Sequence, residues 1–236
     1  MMKTNKAKNI LKKIILINII CIECIFIKFV FSNFDTTETI SNSKSEYRIL
    51  VDVEESKLYL FENEILIKTY SCSGGKWSTP SPIGTWTVIS KAKWGEGFGG
   101  SWMGLNVPWG NFGIHGTLEP NSLGWASSHG CIRMKNSEVA ELYKIIPIGT
   151  KVIIVDGVYG DFGRGFRTLK SGMYGSDVMQ IQIKLKELGY FKGIPNGKFG
   201  IETEKAVQNF CKSENLYSTK IITPALTEKL GFILMD

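Results

Sequence analysis

Residues 47–70 read YRILVDVEESKLYLFENEILIKTY and consist of β-branched and aromatic runs separated by short polar segments. Runs of this composition are typical of β-strands. The polar segment at 62–64 separates two apolar runs in the manner of a hairpin turn. These residues therefore predict a β-meander, which the apolar run TWTVIS at 85–90 extends by a further strand.

The strand-rich character continues to about residue 155. NSEVAELYKII at 136–146 begins with Asn and Ser and has an acid in its first turn, so it predicts a short helix capped by one of those two side chains. GTKVIIV at 149–155 predicts a returning strand. We expect residues 47–155 to form a mainly β domain, either a sandwich or a barrel.

One segment of this domain lacks any period. Residues 94–113 are dense in Gly and Trp, which predicts a loop-rich wall rather than a core element. Its tryptophans either line a groove or anchor the packing of a long loop.

The composition changes after residue 155. Residues 156–167 are rich in Gly and predict a linker. In 168–236, apolar residues recur at helical spacing, Gly189 is placed to end the first helix, and Thr223-Pro224 is typical of a helix start. We expect a small three-helix domain here.

The amino-terminal residues predict a membrane segment. Residues 1–31 contain six Lys and one Glu, and 14–31 form an apolar run, so we expect a transmembrane anchor with a cytoplasmic start. A cleaved signal peptide is the alternative, and it would make the protein secreted. Polar residues 32–46 predict a tether. The folded part would then lie on the extracytoplasmic side of the cell membrane.

Charge and cysteine content narrow the function. The net charge of +6 lies almost wholly in residues 1–31, so the folded part lacks the basic stripe that nucleic acid requires. Cys72, Cys131 and Cys211 are an odd number at wide spacing, which argues against a disulfide framework. With two histidines in the chain, we expect no metal site and no cofactor.

Both histidines lie near one cysteine. His115 precedes Cys131 by sixteen residues and His129 precedes it by two, and each histidine is followed by glycine. An imidazole beside a thiol can make it a nucleophile, while Gly116 and Gly130 permit turns that aim backbone N–H groups at an oxyanion. These residues predict acyl transfer. His129 shares the tight turn of the cysteine, so His115 is the better candidate for the base.

The segments IHGT at 114–117 and SSHGCIRM at 127–134, with TPSPIGTWTVIS at 79–90, resemble the YkuD-type L,D-transpeptidase family. The resemblance implies Cys131 as nucleophile and His115 as general base, oriented by the carbonyl of Gly116. It also implies an oxyanion hole formed by His129, Gly130 and the N–H of Cys131. Ser128 and Arg133 would contact the substrate. The Arg133 guanidinium would hold a substrate carboxylate bidentately, or else form a surface salt bridge.

Residues 169–210 resemble the PG_binding_1 peptidoglycan-binding module, most closely in LGYF and NGKFGIETEKAVQNF. Together the resemblances imply a monomeric, membrane-held enzyme whose partners are the peptide stems and glycan polymer of the cell wall. It would acylate its cysteine with a tetrapeptide stem and transfer the stem to an amine. An L,D-carboxypeptidase and a non-catalytic peptidoglycan-binding protein are the alternatives.

Overall fold

The computed structural model describes residues 45–157 and 160–234, which belong to one unit. The predicted membrane segment and all but the last two residues of the predicted tether lie outside this part of the chain. Within the described ranges, no helix combines the length and apolar character needed to cross a bilayer.

Residues 47–155 contain a closed barrel, which decides between the two predicted architectures. Its strands are ordered β1-β2-β3-β7-β6-β5-β4-β8 around the barrel. The strands are β1 (Tyr47–Asp52), β2 (Lys57–Glu62), β3 (Ile65–Ser73), β4 (Gly84–Ala92), β5 (Trp102–Leu105), β6 (Phe112–Gly116), β7 (Ile132–Met134) and β8 (Lys151–Val155).

The predicted hairpin between β2 and β3 is present. Asn63 and Glu64 both adopt positive φ, 48° and 67°, which is the conformation of the two central residues of a type I′ turn. Alternate residues then point into the barrel, and Ile49, Leu58 and Leu60 are fully buried there. These alternate apolar residues therefore form part of the barrel interior.

The prediction of a loop-rich wall at 94–113 was wrong from residue 102 onward, where the segment contains β5 and the start of β6. Gly104 and Gly113 are paired on these strands, and a Cβ on Gly113 would lie 2.7 Å from the Trp102 ring. The indole thus covers the places of two missing side chains, and the glycines conceal the alternation in the sequence. Trp102 and Trp109 are buried, whereas Trp94 is exposed.

The helix predicted after β7 is α1 (Asn136–Ile145), but its predicted cap is absent. Lys135 occupies the N-cap position and no side chain caps the helix. Asn136 is instead the first helical residue, and its Oδ1 accepts a hydrogen bond from the backbone N–H of Thr117 at 2.8 Å. A tertiary contact has taken the amide that local preference assigns to the helix.

Three α-helices follow the barrel in the described residues: α2 (Ser176–Glu187), α3 (Ile201–Ser213) and α4 (Pro224–Lys229). Gly189 follows α2 with φ 85°, and the Thr223 hydroxyl accepts from the N–H of Leu226 at the start of α4. Gln182 lies in the middle of this domain, 1% exposed. Its amide nitrogen donates to the carbonyl of Lys198 and its oxygen accepts from Gly197 N–H.

The helical domain packs directly on the barrel. The Ser176 hydroxyl donates to the carbonyl of Ile83, just before β4, at 2.7 Å. The Trp109 indole lies against Gly197, where a Cβ would collide with the ring and where φ is 68°. Only glycine satisfies both constraints, so Gly197 allows the helical domain to pack closely against Trp109 of the barrel.

Candidate active site

The parallel pairing of β6 with β7 places the predicted base in register with the strand that directly follows the predicted nucleophile. His115 pairs with Arg133, and Cys131 precedes Arg133 by two residues. Because side chains alternate along a strand, Cys131, Arg133 and His115 share one face of the barrel wall. The same register, continued by one residue, places Gly113 opposite Cys131.

His115 is buried, at 5% exposure, and its ring is oriented by the backbone of the next residue. Nδ1 lies 2.6 Å from the carbonyl oxygen of Gly116. A carbonyl can only accept, so Nδ1 carries the proton and the lone pair of the neutral ring is on Nε2. A general base requires this tautomer, because the lone pair on Nε2 can then accept a proton.

Two aromatic rings enclose the imidazole. Trp102 stacks on it with ring centroids 5.7 Å apart, and Phe98 meets it edge-on at 5.0 Å. Burial lowers the pKa of His115 below its ordinary value, and Arg133 lowers it further, while the hydrogen bond to Gly116 works in the opposite direction. The ring is therefore neutral at physiological pH.

Cys131 is half-buried, and its Sγ lies 3.9 Å from the carbonyl oxygen of Asn111. Burial raises the pKa of the thiol, while the Gly113 backbone and the Arg133 charge oppose that rise. The resting pair is thus a neutral thiol and a neutral imidazole. Proton transfer between them has to accompany the reaction with substrate.

The turn before Cys131 is closed by Ser128. Its hydroxyl donates to the carbonyl of Cys131 at 2.6 Å and accepts from Gly130 N–H at 2.9 Å. Gly130 has φ 113°, and a Cβ there would lie 2.5 Å from the Phe112 ring. Ser128 is 1% exposed, so this geometry favours a role in shaping the turn over direct contact with substrate.

The remaining predicted residues lie around this turn. The Arg133 guanidinium is 3.8 Å from a carboxylate oxygen of Glu119, longer than a hydrogen bond, and Glu119 is largely exposed. His129 is exposed. The N–H of Gly130 is already donated to Ser128, so among the predicted oxyanion donors the N–H of Cys131 is the stronger candidate.

Sequence reasoning missed Trp102, Phe98 and Asn136. Trp102 was not assigned to a strand because the glycines around it obscured the strand pattern. Asn136 was predicted to cap its own helix rather than to contact Thr117. An open groove of about 560 Å³ borders the site, lined by Trp94, Gly95, Gly99, Gly100, Leu118 and Asn136. A second cavity, of about 500 Å³, lies between the barrel, the linker and the helical domain; Trp77 and Trp125 line it.

A thiol directly before one strand of a barrel and a neutral imidazole on the parallel neighbouring strand define a candidate thiol acyltransferase. Residues 46–154 match the YkuD family, described as the L,D-transpeptidase catalytic domain, and residues 174–230 match the PG_binding_1 family of peptidoglycan binding domains. The chain belongs to the YkuD L,D-transpeptidase family.

Two Bacillus proteins illustrate the relationship. The chain is 42% identical over 109 residues to the protein named L,D-transpeptidase YkuD of Bacillus licheniformis, an alignment covering 46% of this chain and 65% of that protein. It is 33% identical over 124 residues to L,D-transpeptidase YqjB of Bacillus subtilis, covering 46% of this chain and 70% of the relative. The chain thus spans just under two thirds of the first relative.

Among solved structures, an L,D-transpeptidase from Mycobacterium smegmatis superposes with a TM-score of 0.42 at 22% identity. The match covers 48% of this chain and 59% of that chain. A likeness of this size carries no functional conclusion.

Proposed function

We propose that this protein is a cysteine-dependent L,D-transpeptidase that cross-links peptide stems of the bacterial cell wall. The observation that carries the proposal is the shared face of Cys131 and His115, with the proton of His115 held on Nδ1 by the carbonyl of Gly116. Family membership supplies the reaction class, and the geometry supplies a nucleophile and a base for it.

The reaction has two halves. As Cys131 Sγ attacks the carbonyl carbon of the L–D peptide bond of a tetrapeptide stem, Nε2 of His115 takes the thiol proton. The Cys131 N–H stabilises the oxyanion. His115 returns the proton to the leaving nitrogen, and the terminal D-residue departs, leaving a thioester. An acceptor amine then attacks the thioester and loses a proton to His115, which restores the thiol of Cys131.

Two further elements bind the polymer in this proposal. Arg133 lies on the reacting face with one loose ionic contact, so its planar guanidinium is suited to a substrate carboxylate. The helical domain, which matches a peptidoglycan-binding family, holds the enzyme on its substrate and raises the local concentration of stems.

The proposal is tested by incubating residues 45–236 with a disaccharide-tetrapeptide and analysing the products by mass spectrometry. We expect a cross-linked dimer and a released D-amino acid, both absent with Cys131→Ala. Formation of tripeptide alone would assign an L,D-carboxypeptidase instead. Unchanged substrate that still binds would assign a non-catalytic wall-binding protein.

We also propose that residues 1–31 hold the protein in the cell membrane, with the barrel on the side of the wall. The basic residues before the apolar run at 14–31 support this orientation. Cell fractionation tests it: we expect the chain in the membrane fraction. Recovery from the medium of a chain that begins after Phe31 would show a cleaved signal peptide instead.

A further inference from the structure

A chain of two hydrogen bonds connects His115 to Asn136. Nδ1 of His115 donates to the carbonyl of Gly116 at 2.6 Å, and the N–H of Thr117 donates to Oδ1 of Asn136 at 2.8 Å. That carbonyl and that N–H belong to one planar peptide group. A single peptide therefore accepts from the imidazole at one end and donates to Asn136 at the other.

The position of the Asn136 amide is set by close packing. A Cβ on Gly99 or on Gly116 would collide with Oδ1, so the absence of both side chains is what lets the amide reach the peptide. Gly99 also has φ 61°, which favours glycine independently. The amide oxygen thus lies between the loop at 99 and the end of β6.

The contact also differs from the role that the sequence predicted for Asn136. Lys135 occupies the N-cap position of α1 and no side chain caps the helix. Asn136, as the first helical residue, directs its acceptor oxygen to Thr117. The otherwise exposed Asn136 therefore serves the peptide beside His115 rather than its own helix.

We propose that Asn136 is a positioning residue for His115, acting through the Gly116–Thr117 peptide. Donation by the Thr117 N–H polarises the peptide and makes the Gly116 carbonyl a stronger acceptor for Nδ1–H. The peptide is also held in place, so the ring presents Nε2 to the side of Cys131. This inference rests on the proposed function, in which His115 is the base.

The neutral amide adds no charge to a site where charge matters. Arg133 on β7 pairs with His115, and a carboxylate oxygen of Glu119 lies 3.8 Å from the Arg133 guanidinium. Asn136→Asp keeps the acceptor oxygen and adds a negative charge, whereas Asn136→Ala removes the acceptor. The two variants should consequently shift the pKa of His115 in opposite directions.

The experiment measures His115 by nitrogen-15 NMR of the imidazoles in residues 45–236. The chain has two histidines, and a His129→Gln variant assigns the second signal. With Asn136→Ala, we expect faster exchange of the Nδ1 proton and a lower His115 pKa, because the Gly116 hydrogen bond that raises it is weakened. With Asn136→Asp, we expect the Nδ1 proton retained and the pKa raised.

Acylation by a carbapenem gives the second measurement. Asn136→Ala should slow it about tenfold, the scale of one lost hydrogen bond, and Asn136→Asp should restore part of the rate. Ser137→Ala, the adjacent exposed position in the first turn of α1, is the matched control and should leave both measurements unchanged.

An unaltered Nδ1 signal and His115 pKa in Asn136→Ala would overturn the proposal. So would shifts of the same sign in both Asn136 variants, because a purely structural role predicts loss of order without regard to charge. The NMR measurement needs no turnover. An inactive wild-type enzyme would therefore count against the proposed function and leave the NMR test of Asn136 decisive.

Discussion

Trp102 and His115 face each other across the β5–β6 ladder, with ring centroids 5.7 Å apart and planes inclined by 29°. The same indole covers Gly113, the neighbour of Cys131, and is itself stacked under Trp94 at 4.6 Å. Trp102 therefore covers both the proposed base, His115, and Gly113, the position on β6 opposite the proposed nucleophile. This arrangement keeps water from the imidazole and accounts for its lowered pKa.

Replacement of Trp102 should change the titration of His115. In Trp102→Ala, water reaches the ring, so we expect the His115 pKa to rise toward its ordinary value. The cavity should also lower the free energy of unfolding by about 3–5 kcal/mol. NMR titration and chemical denaturation measure the two effects. Trp77→Ala, at a 57% exposed position, is the control and should change neither. An unshifted His115 would refute the shielding role.

The rate of carbapenem acylation should distinguish the roles of His115 and His129. Intact mass should show one adduct, and peptide mapping should locate it on Cys131. His115→Ala should slow its formation by roughly 10²–10⁴, the scale of a lost general base. His129→Ala should have a smaller effect because its ring is exposed. An adduct that persists in Cys131→Ala, or undiminished acylation in His115→Ala, would contradict the mechanism.

The rate of acylation should depend on pH through His115. The base must be neutral to accept the thiol proton, and its pKa is lowered from 6.5 by burial. Activity should therefore persist below pH 6.5 and fall only as pH drops through the lowered value. Second-order acylation rates between pH 4.5 and 8 measure this limb. A midpoint above pH 6.5 would show that His115 is not shielded in solution.

The described cysteines should differ in accessibility. Cys72 and Cys211 are fully buried, and burial raises the pKa of Cys72 to about 12, whereas Cys131 is half-buried. Under native conditions iodoacetamide should modify Cys131 and spare the other two, with all three modified after denaturation. Peptide mapping reads the result. Native modification of Cys72 would mean that the barrel opens on the time scale of labelling.

Removal of residues 168–236 should weaken sedimentation with insoluble peptidoglycan while turnover of soluble stems continues. The truncation also uncovers Trp109, which packs against Gly197, so thermal unfolding of the truncated protein must be measured alongside. Gln182→Leu offers a control that disturbs the interior of the helical domain and leaves the barrel intact. Equal sedimentation of the truncated and complete chains would leave the domain without a binding role.

Much of the fold follows from short-range patterns. The β-branched and aromatic runs in 47–70 predict the first strands and their hairpin, and the helical spacing after residue 168 predicts three helices. The prediction failed at 94–113, because Gly104 and Gly113 leave no outward side chain to mark the period. It failed also at the start of α1, because the competing partner of Asn136 lies nineteen residues earlier in the chain.

The sequence alone establishes the chemical inventory: one cysteine preceded by two histidines, glycines at the turns, and a run of strands that form a mainly β domain. It could not decide between sandwich and barrel, or show which groups surround the base. Those depend on β6 and β7 lying parallel and in register, which places His115 opposite Arg133, two residues after Cys131. Register is a property of two strands together, set by side chains that pack across the whole barrel, and no local pattern in either strand contains it.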